Sequence, residues 1–131
     1  MSMRFIVCSN SRELVDAASK AFDQEGSRLT VCESGLEVLG TVEILDADLL
    51  VLDLETPGLN GLLIISAIKE LAPRLSIVAV SKKPQMDARV VSHKGVSYTT
   101  LPSDPDGGMQ ALMASLSEIR RNALPYGVRL S

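Results

Sequence analysis

The sequence predicts a single α/β domain in which a parallel sheet carries helices on both faces. Three observations lead there. Short apolar runs of strand length alternate with segments of helical spacing along most of the chain, and repeated strand–helix units imply right-handed crossovers and a parallel sheet. The run Leu49-Leu50-Val51-Leu52 is unbroken apolar sequence, the pattern of a strand buried on both faces. The chain has 131 residues, 46% of them apolar, which suits one folded core and excludes disorder.

The elements follow in order. Phe5-Ile6-Val7 centres a first strand, about Arg4–Cys8. Asn10 or Ser11 can cap a first helix that runs to about Glu25, with Leu14, Ala17, Ala18, Ala21 and Phe22 inward and Gly26 as its stop. A second strand spans about Leu29–Glu33. A second helix spans about Gly35–Ile44, with Leu36, Leu39 and Val42 as candidate core positions. Asp46-Ala47-Asp48 leads into the third strand, which ends at Leu54. The third helix, Asn60–Leu71, is strongly apolar, and Pro73 punctuates its end. A fourth strand covers Ser76–Val80, a fourth helix about Met86–Lys94 with Gly95 after it, and a fifth strand about Ser97–Thr100. The turn-rich run from Ser103 to Gly108 precedes a fifth helix, Met109–Arg121, with Leu112, Leu116 and Ile119 at helical spacing. The domain is assigned to residues 1–122. Residues 123–131 read as a tail, or as the start of a linker to a further domain.

Five such units match the doubly wound, flavodoxin-like strand order 2-1-3-4-5, whose switch point lies between strands 1 and 3. A site there draws on the residues that follow strands 1, 3, 4 and 5. In this chain those are Ser9 and Asn10, Asp53, Ser81 and Lys82, and Leu101 and Pro102.

Composition narrows the function. A net charge of −3 argues against nucleic acid as the main partner. Aromatic residues make up only 3%, with no Trp, which weakens any role that stacks bases or sugars. No apolar run approaches the about 20 residues of a membrane span, and the N-terminus lacks a signal-peptide core, so a cytoplasmic location is expected. Cys8 and Cys32 lack metal-ligand spacing and fall in strands, where buried free thiols are expected.

Asp53, with Pro57 and Gly61 placed four and eight residues after it, resembles the phosphoacceptor stretch of two-component receiver domains. The resemblance extends from about Arg4 to Arg121. It implies a receiver fold, Asp53 as candidate phosphoacceptor, Ser81 as the hydroxyl residue ending strand 4, Tyr98 as the strand 5 aromatic, and Pro102 as the cis-forming proline. Ser81 and Tyr98 would be the switch residues. Two family features fail to match. The acidic pair that closes strand 1 falls on Ser9 and Asn10, and the lysine before the proline is Leu101.

These departures have a physical meaning. Mg²⁺ takes hard oxygen ligands in near-octahedral geometry, and Asp53 with neutral Ser9 and Asn10 supplies one negative charge where the family supplies about three. Any Mg²⁺ site, built from Asp53 and with Glu55 as the next carboxylate, is expected to be weak. Phosphoryl transfer depends on positioning and charge neutralisation, so loss of the acids and the lysine removes most of that stabilisation. Lys82 could swing over the pocket and pair with Asp53 in place of the missing cation, or remain a solvated loop charge. Glu55 could face the site or solvent. His93, in a weak helix beside Lys94, lacks the long-bundle context of a phospho-accepting histidine. Cys8-Ser9-Asn10-Ser11 is short and lacks the glycine of a phosphate-cradling flavin loop. Leu62, Leu63, Ile64, Ile65 and Ile68 carry more apolar surface than one stripe needs, so the third helix either has a broad core face with one exposed Leu or offers a partner or dimer surface.

The expectation is a response regulator receiver domain in a phosphorelay. Its Asp phosphorylation is weak or absent, and it acts through protein–protein interaction rather than as an enzyme. Its partners would be a sensor histidine kinase or another signalling protein, with a homodimer as a further option and no direct contact with nucleic acid or membrane. The alternative is a small α/β binding protein or enzyme that uses the switch-point pocket for a flavin or nucleotide.

Overall fold

All five residues of Leu49–Asp53 are buried, as a strand must be when it has neighbours on both sides and helices on both faces. The computed structural model describes residues 3–58, 60–83, 95–102 and 108–128. Its strands are β1 (Arg4–Cys8), β2 (Arg28–Cys32), β3 (Leu49–Asp53), β4 (Ser76–Ser81) and β5 (Val96–Thr100). They form one sheet of order β2-β1-β3-β4-β5. Every pairing in it is parallel, so the expected doubly wound α/β sheet is present.

The helices are α1 (Arg12–Ala21), α2 (Gly35–Gly40), α3 (Gly61–Leu71) and α4 (Gly108–Val128). Side-chain caps set three of their starts. Ser11 Oγ accepts the Leu14 N–H at 3.3 Å, Ser34 Oγ the Glu37 N–H at 3.2 Å, and Asn60 Oδ1 the Leu63 N–H at 3.2 Å. Strand alternation then divides the core in two. Phe5, Val7, Leu49 and Val51 meet Leu14, Ala17 and Ala18 of α1 and Leu112, Leu116 and Ile119 of α4. Ile6, Cys8, Leu50 and Leu52 meet Val38 of α2 and Ile65 and Ile68 of α3. On α3, Leu62 and Ile64 are half-buried, so the core face is broad, but two leucines, Leu63 and Leu71, are exposed rather than one.

Three sequence expectations need correction. The first helix ends at Ala21 rather than near Glu25, where the backbone leaves helical geometry at the cap Phe22 (φ −101°, ψ 5°), whose buried ring stacks on Phe5 with centroids 4.5 Å apart. Gly26, at φ 82°, belongs to the following turn. The second helix is not continuous to Ile44. It breaks at Thr41 (φ −89°, ψ 134°) after the poor helix former Gly40 and resumes as a 3-10 turn, Val42–Leu45, capped by the Thr41 side chain. The expected facing holds at Leu39, half-buried against the core, and fails at Leu36 and Val42. Val38 and Ile44 are buried, whereas Leu36 and Val42 are 79% and 76% exposed. The last helix continues past Arg121 to Val128. The expected fourth helix, Met86–Lys94, with its His93, and residues 103–107 lie outside the described residues.

Candidate functional site

The site lies at the carboxyl end of the sheet, where β1 and β3 are neighbours and the chain leaves them in opposite directions. Cys8 is in register with Leu52, so the next residues, Ser9 and Asp53, meet side by side. Ser9 is fully buried and Asp53 is 6% exposed. The Ser9 hydroxyl donates to Asp53 Oδ2 at 2.6 Å. Ser9 Oγ also accepts the Ser11 N–H at 3.0 Å, and the Ser9 N–H donates to the Cys32 carbonyl at 2.9 Å, so both the hydroxyl and its backbone are held. Asp53 Oδ1 accepts the Glu55 N–H at 2.9 Å. A buried carboxylate thus keeps two hydrogen-bond donors, both of them neutral.

Asp53 pairs with Val80 on β4, which places Ser81 at the end of the adjoining strand. Ser81 is buried, its carbonyl accepts the Leu101 N–H at 2.7 Å, and its hydroxyl accepts the Lys83 N–H at 3.0 Å. Tyr98, half-buried on β5, donates its hydroxyl to the Lys83 carbonyl at 2.5 Å. Both expected switch residues therefore grip the same backbone unit. Leu101 is buried in the cluster that contains Leu112 and Leu116, so an apolar side chain fills the position of the family lysine. No cis peptide occurs among the described residues, so Pro102 follows a trans bond.

Lys82 and Glu55 make contacts that the sequence did not reveal. The Lys82 ammonium lies 3.8 Å from Glu13 Oε1, with both side chains about half exposed. Exposed Glu55 turns back to accept the Lys82 N–H at Oε2, 2.9 Å away. Asn10, Glu13, Asp53, Glu55 and Lys82 share a cavity of about 220 Å³ walled by Leu14, Leu101 and Leu112. Two partners were missed. The sequence places Ser9 at the switch point without pairing it to Asp53, although neighbouring strands 1 and 3 in the expected order imply that contact. Glu13 carried no motif, and only the fold brings it to Lys82.

Mg²⁺ requires several oxygen ligands in one shell. Both Asp53 oxygens hold neutral donors, Glu55 is tied to a backbone N–H, and Glu13 faces an ammonium. Among the described residues no group of three or more His, Cys, Asp or Glu side chains is placed to hold a metal. This donor set does not fit a tightly held Mg²⁺.

Burial pushes the Cys8 thiol up to about 12 and the Cys32 thiol up to about 11. Both are free and buried, and they face each other in the register of β1 and β2. Desolvation keeps them as neutral, unreactive core groups.

A family model described as the response regulator receiver domain matches residues 5–112. The DNA-binding transcriptional regulator NtrC of Escherichia coli K12 is 26% identical over 114 residues, covering 86% of this chain and 24% of NtrC. The chain thus spans about a quarter of the length of that relative. Among solved structures, the response regulator domain of Thermotoga maritima CheB superposes with a TM-score of 0.76 at 19% identity, covering 96% of each chain. HP1043, an orphan response regulator of H. pylori, superposes with a TM-score of 0.72 at 19% identity, covering 92% of this chain and 96% of that one. At these identities the two superpositions establish the fold.

Proposed function

We propose a restricted form of signalling for this chain, which belongs to the response regulator receiver domain family: it is an atypical receiver that works through protein contacts with little or no phosphorylation of Asp53. Receiver domains are signalling modules rather than typical enzymes, they interact with histidine kinases and other signalling proteins, and in general they bind Mg²⁺ at the phosphorylation site. Among the described residues no helix is long and apolar enough to cross a membrane. The finer reading is a cytoplasmic domain, residues 1–122, docking on a sensor histidine kinase or another signalling protein. It would make no direct contact with nucleic acid, and self-association is a further option.

The single observation that carries this reading is the 2.6 Å hydrogen bond from Ser9 to Asp53. A neutral hydroxyl stands where the resemblance places a metal-binding acid, and it occupies a lone pair of the would-be nucleophile. Phosphoryl transfer to a carboxylate needs its negative charge offset as the oxygens approach. Here Leu101 supplies no cation, and the Lys82 ammonium is directed at Glu13. Phosphorylation would replace the single charge of Asp53 with a group of about −1.5 to −2 in a cavity that Glu55 and Glu13 also line.

The test is incubation with phosphoramidate and Mg²⁺, followed by intact-mass measurement, on wild type and on a Ser9→Asp/Asn10→Asp/Leu101→Lys variant. The wild type should stay unmodified and the variant should gain one phosphoryl group. Stoichiometric modification of wild-type Asp53, with signalling output abolished in Asp53→Asn, would overturn the reading.

A further inference from the structure

Where the chain leaves β4, three backbone groups of Lys82 and Lys83 are held by side chains. The Lys82 N–H donates to Glu55 Oε2 at 2.9 Å. The Lys83 N–H donates to Ser81 Oγ at 3.0 Å, and the Lys83 carbonyl accepts from Tyr98 at 2.5 Å. Glu55 is also tied at its other end, where its own N–H donates to Asp53 Oδ1 at 2.9 Å. One hydrogen-bonded path therefore runs from Ser9 through Asp53 and Glu55 to the 82–83 backbone, and it ends on Ser81 and Tyr98. Glu55 is the link in this path that crosses from the end of β3 to the end of β4.

We propose that Glu55 is a resident anion of this site: its carboxylate occupies the Lys82 N–H and holds Ser81, Lys83 and Tyr98 in one arrangement with no group added to Asp53. This rests on the reading that Asp53 phosphorylation is dispensable, and it supplies the regulation of that site. A phosphoryl group moves a loop by capturing hydrogen-bond donors with its oxygens. Asp53, Glu55 and Lys82 line the same cavity, so the Lys82 N–H is a donor that an anion on Asp53 would seek. Glu55 already fills it and sets a like charge beside any newcomer. A ligand shifts an equilibrium only through its differential interaction with the two states, and with that donor taken the difference shrinks. Because Glu55 is tied at both ends, it couples Asp53 to the Lys82 backbone.

The experiment uses the whole chain without any phosphodonor and reads the Lys82 and Lys83 amides and the Tyr98 ring by NMR. In Glu55→Ala the two amides should exchange with solvent about tenfold faster, the loss of a charge-assisted hydrogen bond, and the Tyr98 ring signals should shift. Glu55→Gln keeps an acceptor oxygen at the same reach but loses the charge, and its exchange should fall between wild type and Glu55→Ala. Glu55→Asp keeps the charge but draws it back by one methylene and should follow Glu55→Ala. Glu55 is exposed, so these variants retain the core. Wild-type exchange and Tyr98 signals in both Glu55→Ala and Glu55→Asp would overturn the proposal. Phosphorylation of wild-type Asp53 in the separate mass experiment would instead overturn the reading beneath it, so the two failures are distinguishable.

Discussion

Ser9 and Asp53 leave adjacent strands, and the hydroxyl of one reaches the carboxylate of the other at 2.6 Å in the protein interior. The same oxygen accepts the Ser11 N–H at 3.0 Å, next to the cap of α1. Ser9→Ala would strip a donor from a buried carboxylate and an acceptor from Ser11 together. A stability loss of about 1–3 kcal/mol is expected from the unsatisfied groups, seen as a lower urea midpoint with an unchanged slope. A midpoint equal to wild type would show that Asp53 does not depend on this hydroxyl.

Metal response follows from the same pair. Wild type should show no saturating amide shifts at Asp53 or Glu55 as Mg²⁺ is raised through the low millimolar range, an order-of-magnitude expectation from ligand charge. Ser9→Asp/Asn10→Asp should acquire saturation there. It should also be less stable than wild type without Mg²⁺, because its added carboxylates crowd Asp53. Saturation in wild type that disappears in Glu55→Gln would reassign Glu55 as a metal ligand.

The cysteines make a pH prediction. Their ordinary value is 9.0, and in the fold Cys8 and Cys32 are raised to about 12 and about 11, chiefly by burial. Below about pH 9 both thiols are protonated in the folded and unfolded chains alike, and their contribution to stability is fully present. Above it the unfolded chain releases these protons first, so stability falls as pH rises toward the folded values, by up to about 1.4 kcal/mol per pH unit for each thiol. Urea midpoints measured from about pH 8 to 10.5 should fall in wild type and flatten in Cys8→Ala/Cys32→Ala. Equal slopes in both proteins would assign the alkaline loss to other groups.

Gly95 and Lys69 should be energetically coupled. Lys69 Nζ donates to the Pro73 and Leu75 carbonyls, each at 2.9 Å, and so ties the end of α3 to the start of β4. Gly95 has φ +83°, and a Cβ there would lie 3.2 Å from that nitrogen and 3.7 Å from the Leu75 carbonyl oxygen. Gly95→Ala should cost about 1–2 kcal/mol from its left-handed backbone, plus a contact term. In a double-mutant cycle with Lys69→Ala, part of that loss should vanish, since the crowded group is gone. Strict additivity would show that the ammonium yields without cost.

Local signals in the sequence sufficed wherever neighbours along the chain decide the outcome. The unbroken apolar run Leu49–Leu52 required a central parallel strand, and its end delivered Asp53 to the switch point. Ser11 and Asn60 marked helix starts because a cap depends on residues three positions away. The inward face of α2 was only partly legible: the spacing pattern found Leu39 but also favoured Leu36 and Val42, whereas Val38 and Ile44 are the residues that dock on the sheet. The site divides in the same way. The missing acids and lysine can be read directly at Ser9, Asn10 and Leu101. What those replacements do was decided by the tertiary structure, which brings together groups remote in sequence: Ser9 to Asp53, Glu55 to the Lys82 backbone, and Glu13 to the Lys82 ammonium. A hydrogen bond depends on distance and angle to within a few tenths of an ångström, and residue spacing along a chain does not specify that between strands joined through a crossover.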